Sequence, residues 1–576
     1  MRAPCVRNTR LYLNGDGSPV RKSAMHSFSH SDRSQSLIEM GENGVDVLVV
    51  GGGVTGAAVA MDAVSRGYRV GLLDKGDFAG ETSSKSTKLI HGGIRYLPQF
   101  DFKLVHEALV ERGLLFQNAP WIVKPLGFVL PLFSWNKRPL GAPVVPPFGI
   151  GMNVILESGL FLYDAFAGRL NVRRHSRISV VEAAKRAPAL NSMGLRHAFV
   201  YYDGETDDAR LTLAVLRTSA KRGARAANYV EVTGFEIEGN VIVAANAVDL
   251  LSGHSFVIRT RFVVNAAGVF AERVEALTGH PTIIGVEPAK GVHLLFKASD
   301  IPMTKHAVVL PETEDGRLLF LVPWGDRVLV GTTDTEGGDI ELAQTSGDDV
   351  DYVLRQCNRY LKTPLSRENI ISAFAGFRPL IKSKEAGKST AMLSRSHAVV
   401  DGAAGMVSIV GGKLTTWRKM AEDAIDMVEK KDGRRPNCHT REMALDGTEE
   451  WVIAQNATKG LSPRVRAHLA SAYGANVSKV LEPTAQDPSL MAPIVEGLPY
   501  LMAEVVYSVR YEMAMALADV LCRRTRIVIE DEAQGLLAAP RVANLMASEL
   551  NWDSGEIERQ LGSYRETVAR EFRWLD

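Results

Sequence analysis

Cysteine is scarce. Four residues, Cys5, Cys357, Cys438 and Cys522, are spread over 576 positions, and no two stand at CxxC spacing. That argues against a zinc site and a disulfide framework and for a reducing, cytosolic setting, so no metal is expected. A surplus of one charge is also missing: 67 Lys and Arg face 66 Asp and Glu, a formal net charge of +1. No global field favours nucleic acid, so any anion site must be local. Long apolar runs are absent too. The nearest approach, Val144 to Phe166, contains Pro146, Pro147, Glu157 and Asp164, which makes a poor spanning helix. Residues 1–44 are rich in Arg, Ser, His and Gly and lack an apolar h-region, so they do not resemble a secretory signal. A disordered tail is expected there, or an extension upstream of the true start, with Met25 and Met40 as alternative starts.

What is present is an ordinary globular balance, 46% hydrophobic and 23% charged. The length exceeds the roughly 250–300 residues at which one core stops growing, so two or three domains are expected. Order begins at Val45–Val50, a short apolar strand of the kind buried in parallel sheets. Helical periodicity over Ala57–Arg66 follows, ended by Gly67, and then a second strand, Arg69–Leu73, with Asp74 at its end. This is a βαβ unit. Trp121–Phe166 reads as an irregular segment. Asp207–Arg222 reads as a helix, acidic at its start and basic at its end, as the macrodipole prefers. Val230–Phe235, Val241–Val248 and Arg261–Gly268 read as strands. His306–Leu310, Leu318–Val322 and Val328–Gly331 read as a short-stranded antiparallel sheet. After about Lys430 helical patterns dominate, including a long one from Tyr500 to about Arg524.

Gly51-Gly52-Gly53-Val54-Thr55-Gly56 fits GxGxxG between a strand and a helix. Gly51 permits the tight turn, Gly53 a close backbone approach to a pyrophosphate, and Gly56 close helix–strand packing. The helix N-terminus offers unpaired N–H groups to the anion. Asp74 stands where a carboxylate accepts a ribose hydroxyl. The unit predicts a dinucleotide but does not separate NAD from FAD.

The stretch Glu81–Leu97 is dense in hydroxyls and carries the double glycine Gly92-Gly93, which suits a second contact with a long phosphate-bearing cofactor. TSSxSxKLIHGGxRYL from Thr82, NAAG at Asn265–Gly268, GTTD at Gly331–Asp334 and GGKLTTWRKMAEDA from Gly411 together resemble the FAD-dependent glycerol-3-phosphate dehydrogenases, as do Tyr201-Tyr202-Asp203 and Asp207–Leu211. The resemblance runs from about Val45 to the C-terminus. It implies an α/β fold with a Rossmann-like FAD-binding domain of the glutathione-reductase and D-amino-acid-oxidase type, an antiparallel-sheet substrate domain and a C-terminal helical domain. The boundaries expected are 45–430 for a discontinuous FAD-binding domain, with an inserted cap at about 121–200 and 284–375, and 431–576 for the helical domain. It implies noncovalent FAD, glycerol 3-phosphate as substrate and dihydroxyacetone phosphate as product. A quinone or other acceptor, peripheral contact with the inner face of the cytoplasmic membrane and a homodimer are further expectations.

Carried over residue by residue, the resemblance assigns FAD to Gly51, Gly53, Gly56, Asp74, Thr82, Ser83, Ser84, Lys88, His91, Gly92, Gly93, Val230, Ala267, Gly268 and Gly412. The family more often has Glu where this chain has Asp74, and a small residue where it has Lys85. A phosphate dianion needs cationic donors, and Arg offers a planar fork. The candidates are Arg95 beside Tyr96, Arg378 in the Gly376-Phe377-Arg378-Pro379 frame, and Lys413, which suits either the flavin C2 oxygen or the ligand. Thr332 and Asp334 position the substrate or support its ligands. Oxidation of a carbinol requires a hydride acceptor and a base. His293, in Lys290-Gly291-Val292-His293, is the best base candidate, and a core histidine that only orients a neighbour is the alternative. Arg523, Arg524 and Arg526 form a basic run that reads as a solvated face or a contact with lipid or a partner. An oxygen-reducing oxidase, a flavin-binding scaffold without chemistry and an amine oxidase are the competing functions.

Overall fold

The computed structural model describes residues 28–142, 151–382 and 396–575. The first sheet is a parallel core. In spatial order its strands are His397–Asp401, Val407–Gly411, Ser255–Asn265, Val45–Val50, Val70–Leu73 and Arg225–Ala227, all parallel except the first. Val47 and Val49 pair with Val70 and Leu72 and are fully buried. Burial on both faces explains the unbroken Val and Leu run. The helices Val54–Ser65, Asp208–Lys221 and Trp417–Lys431 pack together on one face of this sheet. The hairpin Val230–Glu238/Val241–Asp249 extends from the outer half of Ser255–Asn265.

The second sheet has ten strands and carries the other half of the site. The long strands Val286–Lys297 and Ile370–Ile381 run antiparallel from Val286↔Ile381 to Phe296↔Ile370. Arg327–Gly331, Leu319–Trp324, His306–Leu310, Lys124–Phe133 and Leu195–Glu205 continue the sheet. One pair, His306–Leu310 with Lys124–Phe133, is parallel.

Three expectations change. Residues 30–43 of the expected tail form a helix, opened by a capping box between Ser29 and Asp32, with Arg33 and Met40 buried. Arg33 anchors it through an ion pair to Asp249 at 2.5 Å. Residues 1–27 lie outside the described residues. The segment Trp121–Phe166 is not irregular: it contains the strand Lys124–Phe133 and the helix Met152–Ala167. Pro125 and Pro131 sit within that strand, so proline was a poor guide there. The long helix from Tyr500 stops at Glu512, where Met513 turns left-handed with φ 51°. The Asp519 carboxylate accepts from the N–H groups of Met515 and Ala516 beyond the break, and Asp519–Arg524 resumes as a π-helical turn.

Candidate active site

The glycine turn after the first strand has a separate steric reason at each position. Gly51 has φ 108°, and a Cβ there would lie 2.7 Å from the Ala266 carbonyl oxygen. A Cβ on Gly56 would lie 1.8 Å from the Gly51 carbonyl oxygen, so Gly56 serves helix–strand contact and not a ligand. A Cβ on Gly53 would meet only Ser83, at 3.0 Å. Its bare face borders a cavity of about 700 Å³. The helix Val54–Ser65 opens onto this cavity, with the Val54 N–H donating to Ser83 Oγ at 2.9 Å. Asp74 lines the cavity on the far side of the turn. Its carboxylate accepts from the Gly52 N–H at 2.5 Å and the Gly76 N–H at 2.8 Å. Enclosure pushes the Asp74 carboxyl up to about 6 against the pull of those two bonds.

Thr82, Ser83, His91, Val230, Ala267, Gly268, Gly412 and Lys413 also line this cavity. A bare glycine face, a helix N-terminus and a carboxylate beyond the second strand fit a long pyrophosphate cofactor. Besides Gly56, four predicted contacts do not line this cavity: Gly93 lines the smaller one described below, and Lys88, Ser84 and Gly92 line neither. Lys88 is buried, with Nζ 2.8 Å from Asp208 and 3.1 Å from the Ser84 carbonyl oxygen, and it does not line the cavity. Ser84 turns its hydroxyl back to the Glu81 carbonyl oxygen at 3.2 Å. Gly92 fits beneath Leu109 and Tyr163 and donates its N–H to Asp203 at 3.2 Å.

A second cavity, of about 130 Å³, shares Thr87, His91, Tyr96 and Arg378 with the first. Gly93, Arg95, Thr332, Asp334 and Arg317 line it as well. Arg378 is oriented by Asp334 at 3.2 Å, by the Thr332 hydroxyl at 3.0 Å and by the Thr333 carbonyl oxygen at 3.2 Å. The Lys413 ammonium lies 4.2 Å from the centre of the Tyr96 ring, a cation–π contact.

His293 sits on the strand Val286–Lys297, 2% exposed, at the wall of the large cavity. Its Nε2 pairs with Thr87 Oγ1 at 2.8 Å, and its ring stacks on Phe374 at 5.1 Å. Nδ1 has no hydrogen-bond partner among the described residues. Burial first, then Arg378 and Lys88, hold the imidazole well below the usual histidine range and so favour the neutral ring. Two glycines make room. A Cβ on Gly331 would lie 2.5 Å from the His293 ring, and one on Gly291 would lie 2.5 Å from an Arg378 nitrogen. The glycines of GTTD and KGVH are therefore spacers for the base and the guanidinium.

Sequence reasoning missed Thr87, though it lies in the hydroxyl-rich stretch, and Arg317, whose neighbours carry no motif. It also missed the support under the Gly92-Gly93 turn. There, buried Asp203 is bound by Arg112 at 2.6 Å and by the Tyr163 hydroxyl at 2.8 Å. Arg112 and Tyr163 come from separate helices, so no local signal marks them. Lys85, left without a role, pairs with Glu571 at 3.0 Å.

Residues 46–418 match the family model described as FAD dependent oxidoreductase, and residues 438–557 the one described as C-terminal domain of alpha-glycerophosphate oxidase. The chain is similar to glycerol-3-phosphate dehydrogenase 2 of Mycobacterium tuberculosis, 37% identical over 554 residues that cover 94% of this chain and 91% of that protein. It is similar to the mitochondrial glycerol-3-phosphate dehydrogenase of Homo sapiens, 33% identical over 565 residues, 94% of this chain and 75% of that protein. Among solved structures, the glycerol-3-phosphate dehydrogenase of Bacillus halodurans complexed with FAD superposes with a TM-score of 0.75 at 29% identity, covering 94% of this chain and 98% of that one.

Proposed function

The chain belongs to the FAD-dependent glycerol-3-phosphate dehydrogenases, and from that membership we propose how its residues divide the reaction. FAD is the cofactor; when bound in the large cavity it supplies the hydride acceptor. Arg95 and Arg378, with Tyr96 and Thr332, hold the substrate phosphate in the small cavity, and Asp334 keeps Arg378 in position. His293 takes the C2 hydroxyl proton, with Thr87 orienting its ring. Lys413 stands at the junction, beside Tyr96. The observation that supports this reading is that the two cavities share Thr87, His91, Tyr96 and Arg378, the adjacency that a cationic pocket, a flavin site and a base would need.

Electrons pass to a membrane quinone. No described helix is long and apolar enough to cross a membrane, and the reading is of peripheral contact. The supporting surface is the helix Met152–Ala167, whose outer side exposes Val154, Ile155 and Phe161 beside Phe100 and Phe102. Exposed Lys103, Arg169, Arg173 and Arg174 flank it. An apolar face with basic neighbours suits anionic lipid. The match of the C-terminal region to an alpha-glycerophosphate oxidase domain favours oxygen as a second acceptor reading.

The test is flavin bleaching by glycerol 3-phosphate without oxygen, then reoxidation by a short-chain quinone or by oxygen. Faster reoxidation by oxygen would install the oxidase reading. Arg378→Lys loses the planar fork. Hydrogen bonds to charged groups are each worth about 1.5–3 kcal/mol, so kcat/KM for glycerol 3-phosphate should fall roughly tenfold to a hundredfold. Flavin content should hold, and turnover of glycerol should change far less. Equal losses on both substrates would remove Arg378 from phosphate recognition.

A further inference from the structure

The small cavity contains a third guanidinium that no motif marks. Arg317 follows a tight turn in which Gly316 has φ 77°. The Arg317 N–H donates to the Thr313 hydroxyl and its carbonyl oxygen accepts from the Thr313 N–H, each at 2.8 Å. Thr313 is 2% exposed, so the turn is anchored in the core. The side chain is held at two points. Nε lies 3.3 Å from the Asp315 carboxylate, and Nη1 donates to the Asp334 carbonyl oxygen. Asp315 is itself fixed by the hydroxyls of Thr313 at 2.5 Å and Tyr352 at 2.8 Å. Nη2 has no hydrogen-bond partner among the described residues.

Asp334 thus joins the two arginines: its carboxylate orients Arg378, and its carbonyl orients Arg317. The charges of the lining point the same way. Arg95, Arg317 and Arg378 stand against Asp203 and Asp334 among the described residues around the cavity. Asp203 is answered from outside the lining by Arg112, and Asp334 by Arg378. Arg317 has Asp315, also outside the lining, as a partner at 3.3 Å, so the guanidinium charge of Arg95 is the one without a carboxylate partner among the described residues. The other walls, Phe128, Leu318 and Phe320, are apolar and raise the value of each ionic contact.

We propose that Arg317 is a phosphate-binding residue, which with Arg95 and Arg378 makes the small cavity a site for a phosphate dianion on a short carbon chain. The inference rests on the reading of this cavity as the phosphate pocket. The fork of Arg317 is held by the main chain at residue 334 and by Asp315, and it needs no rearrangement to present Nη2.

The test uses the FAD-loaded enzyme and inorganic phosphate as a competitive inhibitor of flavin reduction. Arg317→Met should raise the inhibition constant of phosphate and the KM for glycerol 3-phosphate together, by at least about tenfold, the low end for one charge-assisted hydrogen bond. Glycerol turnover and flavin content should stay within about twofold, since neither involves a phosphate in the small cavity. Arg317→Lys, which keeps the charge and most of the volume, should lie between the two, and it carries the test if the Met variant does not fold. Unchanged phosphate inhibition in the Arg317 variants, with weakened inhibition in Arg378→Met, would overturn this inference and leave the phosphate pocket standing. Unchanged inhibition in all of them would overturn both.

Discussion

His293 combines a single hydroxyl partner with a neutral ring, and that sets a pH signature. Its pKa in the folded chain lies below the ordinary 6.5 because burial, Arg378 and Lys88 all oppose the charged form. The basic form therefore persists as pH falls from 7, and the acid limb of kcat/KM, which reports the unliganded enzyme, should lie below pH 6.5. In the unfolded chain the same imidazole protonates at its ordinary value. The unfolded state therefore binds more protons, and stability from this group is lost as pH falls through 6.5. Flavin reduction followed by stopped flow across pH is the measurement. His293→Asn should keep its flavin and lose roughly a hundredfold or more in reduction rate, the usual share of a general base. An acid limb above 6.5 that survives the substitution would leave His293 a packing residue.

At the level of elements, the helix Met152–Ala167 has two apolar sides, one buried against the fold and one exposed. Leu156, Leu160, Tyr163 and Ala167 are buried against the fold, and Tyr163 reaches Asp203 beneath the turn that leads to Arg95. The opposite side exposes Phe161 at 69% and Val154 at 50%, which folding alone does not explain. If lipid covers that side, Ile155→Glu with Phe161→Glu should lower partitioning onto anionic vesicles at least about tenfold, since burying one such side chain is worth about 1.5–3 kcal/mol. Both positions are exposed, so flavin content and turnover with a soluble dye should not move. Vesicle sedimentation at low salt is the assay. Unaltered sedimentation of the double variant would place lipid contact on another surface.

Over the whole molecule, a buried ionic seam ties the C-terminal helices to the cofactor loops. The run expected on a solvated face is inside: Arg524 is fully buried and paired with Asp77, Arg523 reaches Asp77 at 2.5 Å, and Arg526 binds Asp207 and Asp208. Asp77 lies four residues before Glu81 and lines the large cavity, while Asp208 holds Lys88. Removing one partner of a buried pair is costly because the other charge is stranded, about 3–5 kcal/mol. Arg524→Met should therefore lower the denaturation midpoint strongly and release FAD more readily. Arg559→Met, which breaks an exposed pair with Glu556, should cost less than about 1 kcal/mol. Denaturant unfolding read by flavin fluorescence compares them. Similar small losses in both would mean that the seam does not support cofactor binding.

Local pattern made a dinucleotide-binding βαβ unit legible, and the family resemblance supplied FAD and the remaining cofactor candidates. Gly56 answers a contact made within one βαβ unit, and Asp74 ends the adjoining strand, so there spacing along the chain is spacing in the fold, whereas Gly51 and Gly53 face Ala266 and Ser83 from beyond that unit. His293, Arg95 and Arg378 were legible as candidates because each stands in a recognisable run of small and apolar residues. Which charges face a cavity and which face each other was decided by tertiary structure. Lys88 looked like a cofactor contact and became the partner of Asp208, 120 residues away. The arginines from 523 to 526 looked exposed and became the seam. Arg317 carried no motif and came to rest beside Arg378, through an aspartate whose two ends bind the two arginines. Periodicity reports which side of an element is apolar. It carries no record of the distant carboxylate that a buried cation will meet, and for a charged side chain that partner, more than its neighbours in the chain, determines its place.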